Sequence, residues 1–171
     1  MKLINKYLNG NVTVTLFDNG TKIQEWDDNE GARPDYPNSM DIKITDYCDR
    51  LGGLCAFCHE KSDLKGKHGD LEYLLDILQD LPKGTEIAIG GGNTLSHPGL
   101  VPFLQTCKSF GIIPNITVNY MVLHEEKYVK LLNKLIDETL VYGIGVSIPD
   151  DFIEQVIDLI NNKTNVVYHV I

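Results

Sequence analysis

The sequence is short of positive charge, of cysteine and of long apolar stretches. Its 171 residues include 15 Lys and Arg against 24 Asp and Glu, a formal net charge of −9. No basic patch stands out, which argues against binding to nucleic-acid phosphates. The apolar runs fall far short of the roughly 18 residues that a membrane helix needs. Because the opening residues also lack the apolar core of a signal peptide, we expect a cytoplasmic protein without a membrane partner.

The composition otherwise suits a globular domain. Hydrophobic residues make up 43% and charged residues 23% of the chain, which is long enough to bury a sizeable core. Three of its four cysteines, Cys48, Cys55 and Cys58, fall within eleven residues, and Cys107 stands alone. In a reducing compartment, clustered cysteines more often bind a metal or carry out redox chemistry than form disulfides.

The first 38 residues differ from the rest. "VTVTLF" (12–17) alternates by face, "DNG" (18–20) is typical of a turn, and "TKIQEW" (21–26) follows, which predicts a β-hairpin. The polar stretch 27–39 contains two prolines and reads as a linker or surface loop. We therefore predict an N-terminal hairpin extension and linker over 1–38, ahead of a main domain over 39–171.

From residue 40 onwards the pattern alternates between strand and helix. The predicted strands are 40–46, 85–92, 113–120, 140–147 and 165–171, and the predicted helices are 70–81, 96–110 (capped by Ser96), 124–138 and 150–162. Such alternation predicts an α/β fold with parallel strands and right-handed helical crossovers. A closed eight-stranded barrel needs about 250 residues, so five strands predict an open sheet or an incomplete barrel.

The faces of these strands favour the incomplete barrel. A sheet covered by helices on both sides has strands that are apolar throughout. Here one face of each of four strands is polar or small: Asp41, Lys43 and Thr45; Asn115, Thr117 and Asn119; Gly143, Gly145 and Ser147; and His169 beside Val167. We expect a curved parallel sheet, a partial (incomplete TIM-like) barrel, whose polar face holds a polar ligand. The alternative is that this face is simply open to water.

The cysteines lie in the stretch "DYCDRLGGLCAFCHEKS" (46–62), which follows the first of these strands. Ligands of α/β folds bind at the carboxyl ends of strands, so three thiolates there could share one metal centre. A structural zinc ion would need His59 or Cys107 as a fourth ligand. A 4Fe–4S cluster held by three cysteines would leave one iron free. The third possibility is three unrelated cysteines.

The pattern "DIKITDYC…C-AFCHEKS" resembles the cysteine loop of the radical S-adenosylmethionine (radical SAM) superfamily. In that family three cysteines hold a 4Fe–4S cluster, and an aromatic residue commonly precedes the third, where Phe57 stands here. The resemblance implies that Cys48, Cys55 and Cys58 are the cluster ligands. Their spacing is six and then two residues, whereas the family's usual spacing is three and then two.

A second element, "IAIGGGNTLSHPGL" (87–100), is similar to the family's glycine-rich motif, whose backbone meets the amino group of SAM. Gly90, Gly91 and Gly92 match it, and Asn93 stands where Glu is common. Glycines let a ligand approach the backbone closely, and we expect a Cβ at Gly91 or Gly92 to obstruct the ligand more than the fold. Residues at the ends of later strands contact SAM in the family, which makes Asn119 and Ser147 candidates.

The resemblance implies a partial (βα)6 barrel over 39–171 and an enzyme that binds a 4Fe–4S cluster and SAM. Reductive cleavage of SAM would give a 5′-deoxyadenosyl radical, which abstracts hydrogen from a small-molecule or peptide substrate. A flavodoxin or ferredoxin would be the reductant. Two other hypotheses remain: a non-catalytic module stabilised by zinc, and a degenerate relative that keeps the fold without the cluster.

The last predicted strand, "NVVYHVI" (165–171), has apolar side chains on both faces. An exposed edge of that kind invites pairing with another chain, because its N–H and C=O groups lack partners. We expect the chain either to self-associate through 165–171 or to be part of a longer protein.

Overall fold

The fold contains two β-sheets, seen in a computed structural model that describes residues 1–18, 20–49, 58, 60–148 and 165–170. The first sheet is antiparallel, with strands β1 (Leu3–Asn9), β2 (Val12–Phe17) and β3 (Lys22–Glu25) in that order. The predicted hairpin is β2–β3 and is confirmed. Strand β1 was not predicted, because the apolar residues of this strand do not alternate and Leu3 and Leu8 are exposed.

The second sheet is parallel and follows the order of the sequence. Its strands, from one edge to the other, are β4 (Ser39–Thr45), β5 (Glu86–Gly91), β6 (Ile113–Asn119), β7 (Gly143–Ile148) and β8 (Asn165–Val170). The helices are α1 (Leu71–Leu78), α2 (Leu100–Phe110) and α3 (Glu126–Asp137). The predicted α/β fold with parallel strands is confirmed. The helix predicted at 150–162 lies outside the described residues.

One face of the parallel sheet forms the core. Ile44, Ile89, Ile116 and Val146 are each at most 1% exposed, and they belong to one hydrophobic cluster with buried side chains of all three helices. The other face carries side chains such as Lys43, and it is polar or small as predicted. The polar face is therefore the side of the sheet that can receive a ligand.

The entry into α2 differs from the prediction. A 3₁₀ helix (Thr94–Ser96) comes first, and α2 begins only at Leu100, with Gly99 rather than Ser96 at its N-cap. The reason is Pro98, since a residue that precedes proline avoids the helical region. His97 accordingly has an extended conformation, with ψ of 119°. Another 3₁₀ helix (Tyr120–His124) likewise precedes α3.

The N-terminal sheet contacts the parallel sheet where β5 begins. Lys22 Nζ lies 2.7 Å from Glu86 Oε1, and Asn5 Nδ2 donates to the carbonyl of Lys83 at 2.5 Å. The proposed boundary between residues 38 and 39 stays a prediction. None of the helices in the described part of the chain combines the length and the apolar character needed to cross a membrane.

Candidate functional site

The cysteine loop begins where β4 ends, and its backbone is bonded on two sides. On one side, the carbonyls of Thr45 and Tyr47 accept the N–H groups of Gly92 and Asn93, both at 2.8 Å. On the other side, the N–H of Cys48 donates to the carbonyl of Asp63 at 2.9 Å. The first cysteine is therefore held directly beside the end of the glycine-rich strand.

Two of the three clustered cysteines belong to the described residues. Cys48 and Cys58 are both half-buried. Cys55, Phe57 and His59 lie outside the described residues, so the meeting of three thiolates stays a prediction. Among the residues that the structure does describe, no three His, Cys, Asp or Glu side chains form a group suited to a metal ion.

Cys107 lies apart from the loop, in the core side of α2. Its side chain is fully buried, and burial raises the pKa of its thiol to about 12. Cys107 is thus a small residue of the hydrophobic core.

A cation joins the two ends of the cysteine loop. Lys43 Nζ lies 2.6 Å from Asp46 Oδ1 and also contacts the carboxylate of Glu60. Asp46 comes two residues before Cys48, and Glu60 comes two residues after Cys58. Hydrogen bonds to Asp46 and Glu60 raise the pKa of Lys43, so the bridge stays charged. Because Lys43 and Asp46 are exposed, the bridge aligns the loop more than it stabilises the fold.

A second contact anchors the residue after Cys48. Asp49 accepts a hydrogen bond from Asn93 Nδ2 at 2.6 Å and another from the hydroxyl of Tyr128, and Lys127 Nζ lies 3.5 Å away. Burial alone would raise the pKa of Asp49, but these donors outweigh it and the pKa is lowered. Burial, and then the bond to Asp49, raise the pKa of Tyr128 to about 12. The carboxylate is therefore ionised and its phenol partner protonated.

Sequence reasoning missed this anchor. Asp49 was only a polar loop residue, and Tyr128 fitted the apolar stripe of a helix. The contact joins residues 79 positions apart, and periodicity within one element carries no sign of such a pairing. The available signal was a carboxylate immediately after the first cysteine.

The three glycines of the motif have different surroundings. Gly91 has φ of +121°, and a Cβ there would lie 2.3 Å from the carbonyl oxygen of Thr45. A Cβ at Gly92 would lie 2.2 Å from the carbonyl oxygen of Tyr47. The expectation that these two glycines make room mainly for a ligand is wrong, since the backbone carbonyls of Thr45 and Tyr47 fill that room. At Gly90 nothing lies within 4 Å, so there the expected open approach remains.

Asn93 is largely committed to the fold. Its side chain is 4% exposed, its Oδ1 accepts the N–H of Leu95 at 3.2 Å, and its Nδ2 donates to Asp49. The predicted contact between Asn93 and a cofactor is untested. In the structure, Asn93 caps the 3₁₀ helix and binds the start of the cysteine loop.

A cavity of about 390 Å³ opens on the polar face between the cysteine loop and the sheet. Its lining residues come from three neighbouring strands and from the end of the loop: Asp41, Ile42, Lys43, Glu60, Ala88, Ile89, Gly90, Gly91 and Thr117. Small side chains at 88, 90 and 91 leave this space above β5. The cavity is large enough for a small ligand that touches both Gly90 and Lys43.

The other candidate residues lie on the neighbouring strands. Asn119 ends β6 and pairs in register with Ser147 of β7, which pairs in turn with His169 of β8. Asn119 Oδ1 accepts the N–H of Met121 at 3.0 Å and so caps the helix that follows. Asn119 and Ser147 are half-buried, and their roles in binding SAM stay predictions.

Two histidines brace the cysteine loop from the side of α1. The rings of His68 and His97 lie 4.7 Å apart, and His68 Nδ1 is 2.9 Å from Thr45 Oγ1. His97 Nδ1 accepts the N–H of Gly99 at 3.0 Å, and Nε2 lies 3.1 Å from the carbonyl of Gly69. Burial, and then His97, lower the pKa of His68. The lowered pKa favours the neutral form of His68, whose ring packs between Thr45 and His97.

Comparison of the chain with protein-family models and with curated proteins gave no match.

Proposed function

We propose that this chain is a radical SAM enzyme built on a partial (βα)6 barrel, with an N-terminal sheet ahead of it. The observation that carries the proposal is the direct hydrogen bonding of the Thr45 and Tyr47 carbonyls to the N–H groups of residues 92 and 93, beside a cavity over Gly90. It puts the first cysteine and the glycine-rich strand end at one place, as cluster and SAM binding require. The open polar face supports a curved sheet around this cavity.

The donor set suits a 4Fe–4S cluster. Cys48 and Cys58 are half-buried, and in the proposal these two residues and Cys55 each supply one thiolate. When bound, the cluster and SAM supply reductive cleavage of SAM and hydrogen abstraction from the substrate. The chain's own residues orient these groups: Lys43 joins the ends of the loop, and Asp49 anchors its start.

The substrate would enter from the polar face. Ala88, Gly90 and Thr117 give this part of the sheet small side chains, which leave room for a small molecule or an extended peptide. Excluding water there would protect a reactive intermediate. In the proposal a flavodoxin or ferredoxin delivers the electron.

Anaerobic reconstitution with iron and sulfide tests the proposal. We expect about four iron and four sulfide per chain, a brown protein, and 5′-deoxyadenosine on adding SAM and a low-potential reductant. Replacing Cys48, Cys55 or Cys58 by Ala should abolish the cluster absorbance, because each supplies one of only three thiolates. Cys107→Ala is the matched control and should leave the absorbance intact, because Cys107 lies in the core.

Metal analysis of the same preparations separates the other hypotheses. One zinc ion per chain, with no 5′-deoxyadenosine, would show a zinc-stabilised binding module. No bound metal after reconstitution would show a degenerate relative. A cluster that survives Cys55→Ala would remove that residue from the ligand set.

A further inference from the structure

We propose that Asp49, held by Asn93 and Tyr128, is a positioning residue that fixes Cys48 for cluster binding. In its cluster-binding part the inference rests on the proposed function. The juxtaposition itself does not, because it joins three segments of the chain: the start of the cysteine loop, the end of the glycine-rich strand and α3.

The geometry distinguishes this contact from an ordinary surface ion pair. Asn93 and Tyr128 are 4% and 5% exposed, and both donate to the same carboxylate, one to each oxygen. Two short, charge-assisted hydrogen bonds from buried donors fix a carboxylate in position and in rotation. Lys127 adds positive charge from the exposed side, at 3.5 Å.

Because of its position in the chain, a fixed Asp49 also restricts Cys48. It follows Cys48 directly, and the N–H of Cys48 is bonded to the carbonyl of Asp63. The backbone before Cys48 is thus paired with neighbouring segments, and the side chain after it is fixed by Asn93 and Tyr128. Cys48 would therefore be ordered before any metal binds, which lowers the entropy that cluster binding must overcome.

The contact also links the site to the helix layer. Tyr128 lies in the first turns of α3, next to Lys127 and Glu125, whose side chains are 3.0 Å apart. Any shift of α3 relative to the sheet would move the Tyr128 hydroxyl, from which Asp49 accepts a hydrogen bond. The loop thus takes its position from the packed core rather than from its own sequence.

The decisive variant is Tyr128→Phe, which removes the hydroxyl and keeps the ring. Tyr73→Phe is the matched control, because Tyr73 is exposed on α1. In the metal-free chain, we expect Tyr128→Phe to speed amide hydrogen exchange at Cys48 at least tenfold, with β7 unchanged. Equal acceleration in β7, or no acceleration at Cys48, would overturn the positioning role.

The second measurement uses the reconstituted protein. We expect Tyr128→Phe and Asp49→Ala to retain less than half of the wild-type iron after gel filtration. A cluster that does form in Tyr128→Phe should have a changed electron paramagnetic resonance spectrum, which lost global stability would not cause. Wild-type retention and spectrum in both variants would overturn the inference. If the wild-type chain itself binds no cluster, the proposed function fails, and the exchange experiment still decides whether Asp49 positions Cys48.

Discussion

The three glycines at the end of the glycine-rich strand have two different structural roles. At Gly91 and Gly92 the missing Cβ makes room for the backbone carbonyls of Thr45 and Tyr47, whereas at Gly90 it leaves open space. The same residue type thus serves chain packing at two positions and an open cavity at the third. Sequence alone gives these neighbours equal weight.

This difference predicts opposite outcomes for two adjacent substitutions. Gly91→Val should lower the free energy of unfolding by at least about 2 kcal/mol, because it adds a strained φ and a clash with Thr45. Gly90→Val should leave stability nearly unchanged and weaken SAM binding, because its side chain would enter the cavity. Urea denaturation and equilibrium dialysis with SAM measure the two effects. Equal destabilisation by both variants would contradict the separation of roles.

His68 provides a prediction about pH. Its folded-state pKa is lowered, so the folded protein binds a proton less readily than the unfolded chain does. The stability that comes from this lowered pKa is present above the pKa of about 6.5 that His68 has in the unfolded chain. It is lost as the pH falls below that value. His68→Phe should therefore lose less stability than the wild type between pH 7.5 and pH 5.5, as measured by urea midpoints. The difference should be small because His68 is exposed, and an equal loss in both proteins would contradict it.

At the scale of elements, helix α1 depends on the residue that precedes it. Asp70 is the N-cap, and its carboxylate accepts the N–H groups of Glu72 at 3.0 Å and Tyr73 at 3.3 Å. Asp70→Ala should cost about 1 kcal/mol of stability, because these donors lose their partner. Asp76→Ala, at an exposed position of the same helix, should cost nothing measurable. Chemical denaturation of both variants gives the comparison.

The elements show how far the sequence predicts this fold. The existence of β4 to β8, and the polar or small face of four of these strands, could be predicted because those patterns lie within each strand. β1 was missed, since Leu3, Ile4 and Leu8 are exposed and its buried Asn9 is satisfied by residue 36, far along the chain. The start of α2 was misplaced, because the restriction that Pro98 imposes outweighed the capping preference of Ser96.

The candidate site was predictable only in part, because some of its contacts join segments that are distant in the sequence. Its cysteines and glycines follow from residue order, because the carboxyl ends of adjacent parallel strands lie side by side. The anchor of Asp49 on Tyr128 and the bridge from Lys43 to Glu60 depend on tertiary packing. No local pattern predicts such contacts.

At the scale of the whole molecule, β8 forms one edge of the parallel sheet. Its Val167 and Val170 are 56% and 51% exposed. We expect the chain to self-associate through this strand, since an apolar edge pairs readily with another chain. Light scattering at several concentrations should show a dimer that Val167→Lys weakens. Leu64→Lys, at a distant apolar residue 69% exposed, should leave the dimer intact. A wild-type chain that is strictly monomeric would contradict the expectation.

The spatial order of the parallel sheet is the order in which a ribosome makes its strands. Each new strand pairs with the one synthesised just before it, so the sheet can grow from a single edge without threading. The carbonyls of residues 45 and 47 find their partners at residues 92 and 93 as soon as the second strand has emerged. The cysteine loop can therefore be secured at its start while the later strands are still being translated.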